Sequence, residues 1–178
     1  MNFQENYLKN VVFEFHRYKT VGDNTFAQLS DKEIHWKYKD TDNSIAIIVK
    51  HMVGNMLSRW TNFLTEDGEK PWRNRETEFK EPYTSKVEMI AAWEKGWKCL
   101  FDALSSIDSS NFESKIKIRD KEHTIIEAIN RQLAHYPSHV GQLAFLGKMI
   151  KGSDWISPSI PKGGSDSFNK KMFGHPKS

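Results

Sequence analysis

"TIIEAINRQLAHYPSHVGQLAFLGKMIK", residues 124–151, decides the fold. Ile126, Ile129, Leu133, Tyr136, Val140 and Leu143 recur every three or four positions, the period of one buried helix face. Thr124 opens the segment as a cap, and Glu127 completes a capping box. Pro137 lies inside. It removes one backbone hydrogen bond and pushes on the carbonyl four residues back, so a kink is expected near Leu133. His135 and His139 are four residues apart, hence one turn apart on one face. They border the apolar stripe, and Gln132 and Gln142 extend that polar edge in both directions.

Working outward, three more segments read as helices. Phe3, Tyr7, Val11, Phe15 and Tyr18 give an apolar stripe over residues 3–29, and Gly22 is expected to bend or break it near its end. Ser44 to Leu64 forms a second helix, packing through Ile45, Ile48, Met52, Met56 and Phe63. The third starts at "SKVE", with Ser85 as cap and Glu88 reaching back to it, and continues inward through Val87, Ile90, Ala91, Trp97, Leu100, Phe101 and Leu104. Between the second and third lies a long loop, residues 66–83, which Gly68, Pro71 and Pro82 keep from being one helix. "KIKIRD", residues 115–120, alternates charged and β-branched residues and reads as one short strand or an extended connector.

Four helices with almost no strand signal predict an all-α fold, a four-helix bundle over residues 1–151. The long connections leave room for an order other than up-down-up-down. Residues 152–178 are rich in Gly, Ser and Pro and read as an extended tail. Trp155, Ile156, Ile160 and Phe168 are expected to dock it on the bundle, where it would narrow access to a metal.

Composition limits the function. Lysine and arginine total 26 against 23 acidic residues, a net charge of +3, with much of the surplus after Gly152. That pattern, without any nucleic-acid-binding fingerprint, points away from nucleic acid. No run of 18 apolar residues exists, so no membrane span is expected. The N-terminus lacks the features of a signal peptide, and Cys99 is the single cysteine, so a cytoplasmic protein is expected. Six tryptophans and eleven phenylalanines exceed what a small core easily hides, which points to a homodimer.

Two histidines do not complete a metal site. His51, between Ile48 and Met52 on the second helix, is the candidate third ligand, and Asn55 and Arg59 follow on its face one and two turns on. Neutral imidazoles suit a divalent ion. The competing reading makes His51 an ordinary hydrogen-bonded core histidine. His16 and His35 are fallback ligands, and His175 belongs to the tail. Asn55, Arg59 and Gln142 are candidate substrate-binding residues. His135 is followed by Tyr136 rather than glutamate, so the pair is not a zinc-protease motif, and no Glu-x-x-His segment suggests a di-iron centre.

Three stretches together resemble the DinB/YfiT-like family: "KHMVGNMLSRW" (50–60), "DGEKPWRNRETEF" (67–79) and "LAHYPSHVGQLAFLGKMI" (133–150). The likeness covers nearly the whole chain, including "SIPKGGSDSFN" in the tail, and points to a functionally uncharacterised bacterial branch. It implies a four-helix bundle, often a homodimer, with His51, His135 and His139 holding one divalent metal such as Zn or Ni. Relatives include transferases and isomerases that use a low-molecular-weight thiol such as bacillithiol or mycothiol. A metal-dependent thiol transferase acting on a small-molecule electrophile is therefore expected. A metal hydrolase using bound hydroxide, or a non-enzymatic metal-binding dimer, are the alternatives. Arg59, Trp72, Arg73 and Arg75 would meet the carboxylates of an anionic thiol, or Arg73 and Arg75 form a solvated loop.

Overall fold

The computed structural model describes residues 2–80 and 83–174. Pro82 and His175, and the end of the tail, lie outside the described residues. Among the described residues the fold is all-α apart from one hairpin: α1 (Phe3–Ala27), α2 (Ile45–Trp60), a single turn α3 (Arg75–Glu78), α4 (Lys86–Ser105), strands β1 (Lys115–Ile118) and β2 (Lys121–Thr124), α5 (Ile125–Lys151) and α6 (Ser165–Phe173).

Caps set the helix starts. Asn2 and Glu5 box the start of α1, and Thr124 and Glu127 box the start of α5. At α4, the Ser85 hydroxyl accepts from the Glu88 N–H, but the Glu88 carboxylate turns instead to the Thr84 N–H and hydroxyl, at 2.9 and 2.8 Å. Helix α5 continues through Pro137 without interruption. Gly22 does not end α1. A Cβ there would meet the Trp93 ring at 2.5 Å, so the glycine lets α4's tryptophan close onto α1.

Contacts between residues give the helix directions. Tyr7 donates to Asn130, Phe15 lies beside Tyr136, and Thr25 lies beside Gly147, so α1 and α5 run parallel. Lys50 faces Glu88, Met56 meets Gly96, and Thr61 meets Cys99, so α2 and α4 also run parallel. Phe26 packs on Trp93 and His16 on Phe101, which makes α1 and α4 antiparallel. The order is therefore up-down-down-up. Two consecutive parallel helices require a crossover, and the described residues 61–80 and 83–85 belong to it, running back along the molecule. That return carries α3 past α2.

Trp60, Trp93 and Trp97 are at most 2% exposed and form the aromatic centre of the core with Phe15, Phe26 and Tyr136. At 150–250 Å² each and about 25 cal/mol per Å², burial of each ring contributes roughly 4–6 kcal/mol of gross transfer energy. Three expected packing residues point outward instead: Phe3 and Val87 are 72% and 78% exposed, and Ala91 is exposed as well.

Residues 115–120 are the first half of a hairpin rather than a lone strand. Its turn residues Arg119 and Asp120 have positive φ, 53° and 59°, unusual for side chains with a Cβ. Asp67 holds that turn from the crossover, accepting the N–H groups of Arg119 and Asp120 at 2.8 and 2.7 Å. Burial raises the Asp67 pKa, but its backbone hydrogen bonds outweigh this and the net shift is downward.

The segment expected to be extended contains α6, none of whose residues is buried. Trp155 packs on Gly147 and Thr25, and the Gln28 amide brackets the Ile156 backbone with hydrogen bonds of 2.9 and 2.8 Å. Ile156, Ile160 and Phe168 remain 71%, 45% and 42% exposed. The tail lies along α1 and α5, in grooves lined by residues such as Phe13 and Phe145, and no described tail residue lines the cavity beside the histidines.

Candidate metal centre

Helix α2 presents His51, and α5 presents His135 and His139, because the two helices cross antiparallel with Asn55 opposite Tyr136. One ligand nitrogen from each histidine lies within 4.8 Å of the others. The Nε2 atoms of His135 and His139 are 3.0 Å apart. Ligand atoms on a tetrahedral ion at about 2.0–2.1 Å would stand roughly 3.3 Å from one another. His51 is 6% exposed, and the other two are half-buried.

Each ring is held by its other nitrogen. His51 Nδ1 donates to Glu78 Oε2 at 2.9 Å, His135 Nδ1 to Gln132 Oε1 at 3.3 Å, and His139 Nδ1 to Gln142 Oε1 at 2.9 Å. All three partners are oxygen acceptors, so each Nδ1 carries a proton, and in the neutral ring each Nε2 is then a bare lone pair. Three lone pairs then converge, two of them at 3.0 Å, where they repel unless a cation lies between them. The donor set therefore fits a divalent ion, and the three Nδ1 contacts orient the ligands as outer hydrogen bonds commonly do around metals.

A family model described as "Protein of unknown function (DUF1572)" matches residues 2–164, a span that contains all three histidines. The chain belongs to the DUF1572 family. No curated protein matches it, and no solved structure does.

In the DUF1572 chain the least legible member of the centre is Glu78. It comes from α3, 27 residues from His51, and no spacing motif connects them. Arg73 fastens it, Nε to Oε1 at 2.8 Å and Nη2 to Oε2 at 3.1 Å. Burial raises the Glu78 pKa, but the hydrogen bonds from His51 and Arg73 outweigh it, so the group is a carboxylate with a lowered pKa. Phe79, next in the chain, stacks on His51 with centroids 5.0 Å apart. Gly54, one turn along from His51, leaves the space that Glu78 occupies, since a Cβ there would overlap Glu78 Oε1.

The other candidates divide. Gln142 orients His139. Asn55 accepts the Tyr136 hydroxyl at 3.0 Å, and that hydroxyl accepts the Trp60 indole N–H at 3.1 Å. Arg59 is 3% exposed and lines a cavity of about 190 Å³ that opens from His51 and His135. Arg73 is a buried ion-pair partner rather than a solvated residue, whereas Trp72 is 57% exposed and does not line that cavity. His16 stacks on Phe101 at 3.9 Å, and neither it nor His35 joins the cluster. Burial raises the Cys99 thiol pKa, consistent with a packing role.

Burial, then the neighbouring His139, His51, Arg73 and Arg131, pulls the His135 pKa down to about 4. Unfolded, that imidazole titrates near 6.5. Between about 6.5 and about 4 the unfolded DUF1572 chain binds the extra proton, so the stability of the metal-free protein falls as pH falls through that window. Burial shifts His139 in the same direction. We expect urea midpoints of metal-stripped protein to drop from pH 7 to pH 5, and less steeply in His135→Gln. Equal slopes in the two proteins would contradict the assignment.

Proposed function

We propose that this chain is a DinB/YfiT-like four-helix bundle in which His51, His135 and His139 hold one divalent ion, Zn or Ni, for thiol transfer to a small electrophile. The observation that carries the proposal is the convergence of one ring nitrogen from each of three histidines within 4.8 Å, each imidazole held at Nδ1, beside a cationic cavity. Support for the family reading comes from the grouping of DUF1572 with the DinB/YfiT-like families. When bound, an ion with three protein ligands supplies an open position at which a thiol's pKa falls towards neutrality.

The chain's residues divide the remaining work. Glu78, Gln132 and Gln142 keep the imidazoles in the ligating tautomer, and Arg73 keeps Glu78 ionised and in place. Phe79 covers one face of His51 and limits water there. A hydrolase would want a free proton acceptor beside the metal. Among the described residues, Glu78 is the carboxylate in contact with the triad, and His51 and Arg73 already occupy both of its oxygens. That engagement favours thiol transfer, because a metal-lowered thiol needs no separate base. The test is metal-dependent consumption of an electrophile such as 1-chloro-2,4-dinitrobenzene with bacillithiol. Turnover that requires both metal and thiol supports the proposal, whereas ester hydrolysis without thiol would replace it with the hydrolase reading.

A two-fold homodimer in the cytoplasm belongs to the same proposal. Phe13 on α1 and Phe145 on α5 are 61% and 65% exposed on neighbouring helices, and exposed apolar surface of this kind marks interfaces. Light scattering should give twice the chain mass, and a monomer mass at tens of micromolar would remove the dimer.

A further inference from the structure

The cavity beside the triad is lined by five arginines, Arg59, Arg73, Arg75, Arg119 and Arg131, and no acidic side chain lines it among the described residues. Two of these have carboxylate partners: Arg73 meets Glu78, and Arg119 meets Glu69 at 3.0 Å. Arg59, Arg75 and Arg131 have no carboxylate within 4.0 Å among the described residues. Arg75 and Arg131 are exposed, so water can solvate them. Arg59 is different. It is 3% exposed, and its Nε and Nη1 atoms have no hydrogen-bond partner. A buried guanidinium with unmet donors is costly, because a buried charge needs both a counter-charge and hydrogen bonds.

An ordinary structural arginine answers that cost with a carboxylate of its own chain, as Arg73 does. Here no carboxylate of the chain pairs with Arg59: burial, then Arg131 and Arg73, lower its pKa, and the Glu69 carboxylate, which opposes them, lies beyond ion-pair distance. A divalent ion on the neighbouring histidines would add two more positive charges. The missing element is an anion, and its place is the cavity.

We propose that this cavity is an oxyanion subsite that binds the carboxylate or phosphate group of the molecule whose reacting end lies at the histidine triad. The second clause rests on the metal reading above. The anion-binding clause does not. Guanidinium is suited to this task, since its forked N–H groups meet two oxygens of a carboxylate or phosphate at once. Asn55 and Gln132 line the same space and add amide groups. The placement also sets a length. His51, Asn55 and Arg59 follow one another at four-residue steps on α2, so the oxyanion lies within about 12 Å of the metal along the helix axis. At about 190 Å³ the space suits a small molecule's anionic group rather than a polymer.

The test is calorimetric titration of the full-length chain, stripped of metal so that the probe cannot ligate an ion. Inorganic phosphate and succinate are the probes, and chloride at matched ionic strength is the control. We expect saturable binding of at least one probe at one per chain. Arg59→Met should abolish it. Arg131→Gln, at an exposed position that tolerates change, should weaken it by about tenfold or more, as loss of a charged hydrogen bond does. Stronger binding of phosphate assigns a phosphorylated ligand, and stronger binding of succinate a carboxylate one. Binding of neither probe above the chloride control overturns the subsite, as does binding that survives unchanged in Arg131→Gln. Failure of the wild-type chain to retain a divalent ion, with phosphate or succinate binding intact, would sink the metal reading and leave the subsite standing.

Discussion

Alanine at His51, His135 or His139 should reduce metal content from about one ion per chain to near none, because an open site with three protein ligands cannot spare one. The structure makes the three losses unequal in a second respect. His51 is the most buried, and its removal leaves Glu78 with one partner, Arg73, so His51→Ala should also lower the melting temperature. His139 is bound to the exposed Gln142, so His139→Ala should lose metal with little change in metal-free stability. His16→Ala and His35→Ala are the controls and should keep the ion, since neither lies in the cluster. The measurement is elemental analysis of untagged protein after dialysis against zinc or nickel. Full metal content in His139→Ala would remove the triad.

What the sequence made legible was local. The period of α5, its capping box and the one-turn separation of His135 and His139 all follow from residues within a few positions of one another. His51 stood out because it is polar among Ile48, Val49 and Met52. Pro137 does not interrupt α5 and Gly22 does not end α1, because packing against neighbouring helices overrides a local breaker. The second strand, "KEHT", has no alternating pattern, and the turn before it uses Arg119 and Asp120 where glycine or asparagine is usual. Asp67, 52 residues away from Arg119, makes that turn possible, and no window of sequence contains both partners.

The same limit hid part of the candidate site. Glu78 reads as one of several charged residues in a long loop, and no motif in the sequence singles out Arg131 on α5. The crossover demanded by two parallel neighbours, α2 and α4, brings α3 beside His51. The hairpin brings Arg119 to the cavity. Topology supplied these neighbours, and the long second connection was its only trace in the sequence.

Glu78→Gln should weaken metal binding by roughly 10–100-fold, the usual effect of removing an outer hydrogen-bond partner from a ligating histidine. The amide can still accept from His51, but it no longer balances Arg73, whose side chain is 3% exposed. Gly54 gives an independent handle on the same carboxylate. In an ordinary helix interior, Gly→Ala stabilises by about 0.5–1 kcal/mol. In α2 the new methyl would overlap Glu78 Oε1 and force the carboxylate away from His51. Gly54→Ala should therefore lower both the melting temperature and the metal affinity, opposite in sign to its helix propensity. Adding Glu78→Ala removes the overlapping group, so the double variant should recover stability relative to Glu78→Ala alone, by the helix-propensity gain, while its metal affinity stays low. The two effects are coupled because the residues touch, and a double-mutant cycle measures that coupling. If Gly54→Ala raises the melting temperature and binds metal as the parent does, Glu78 is not held against α2 and does not position His51.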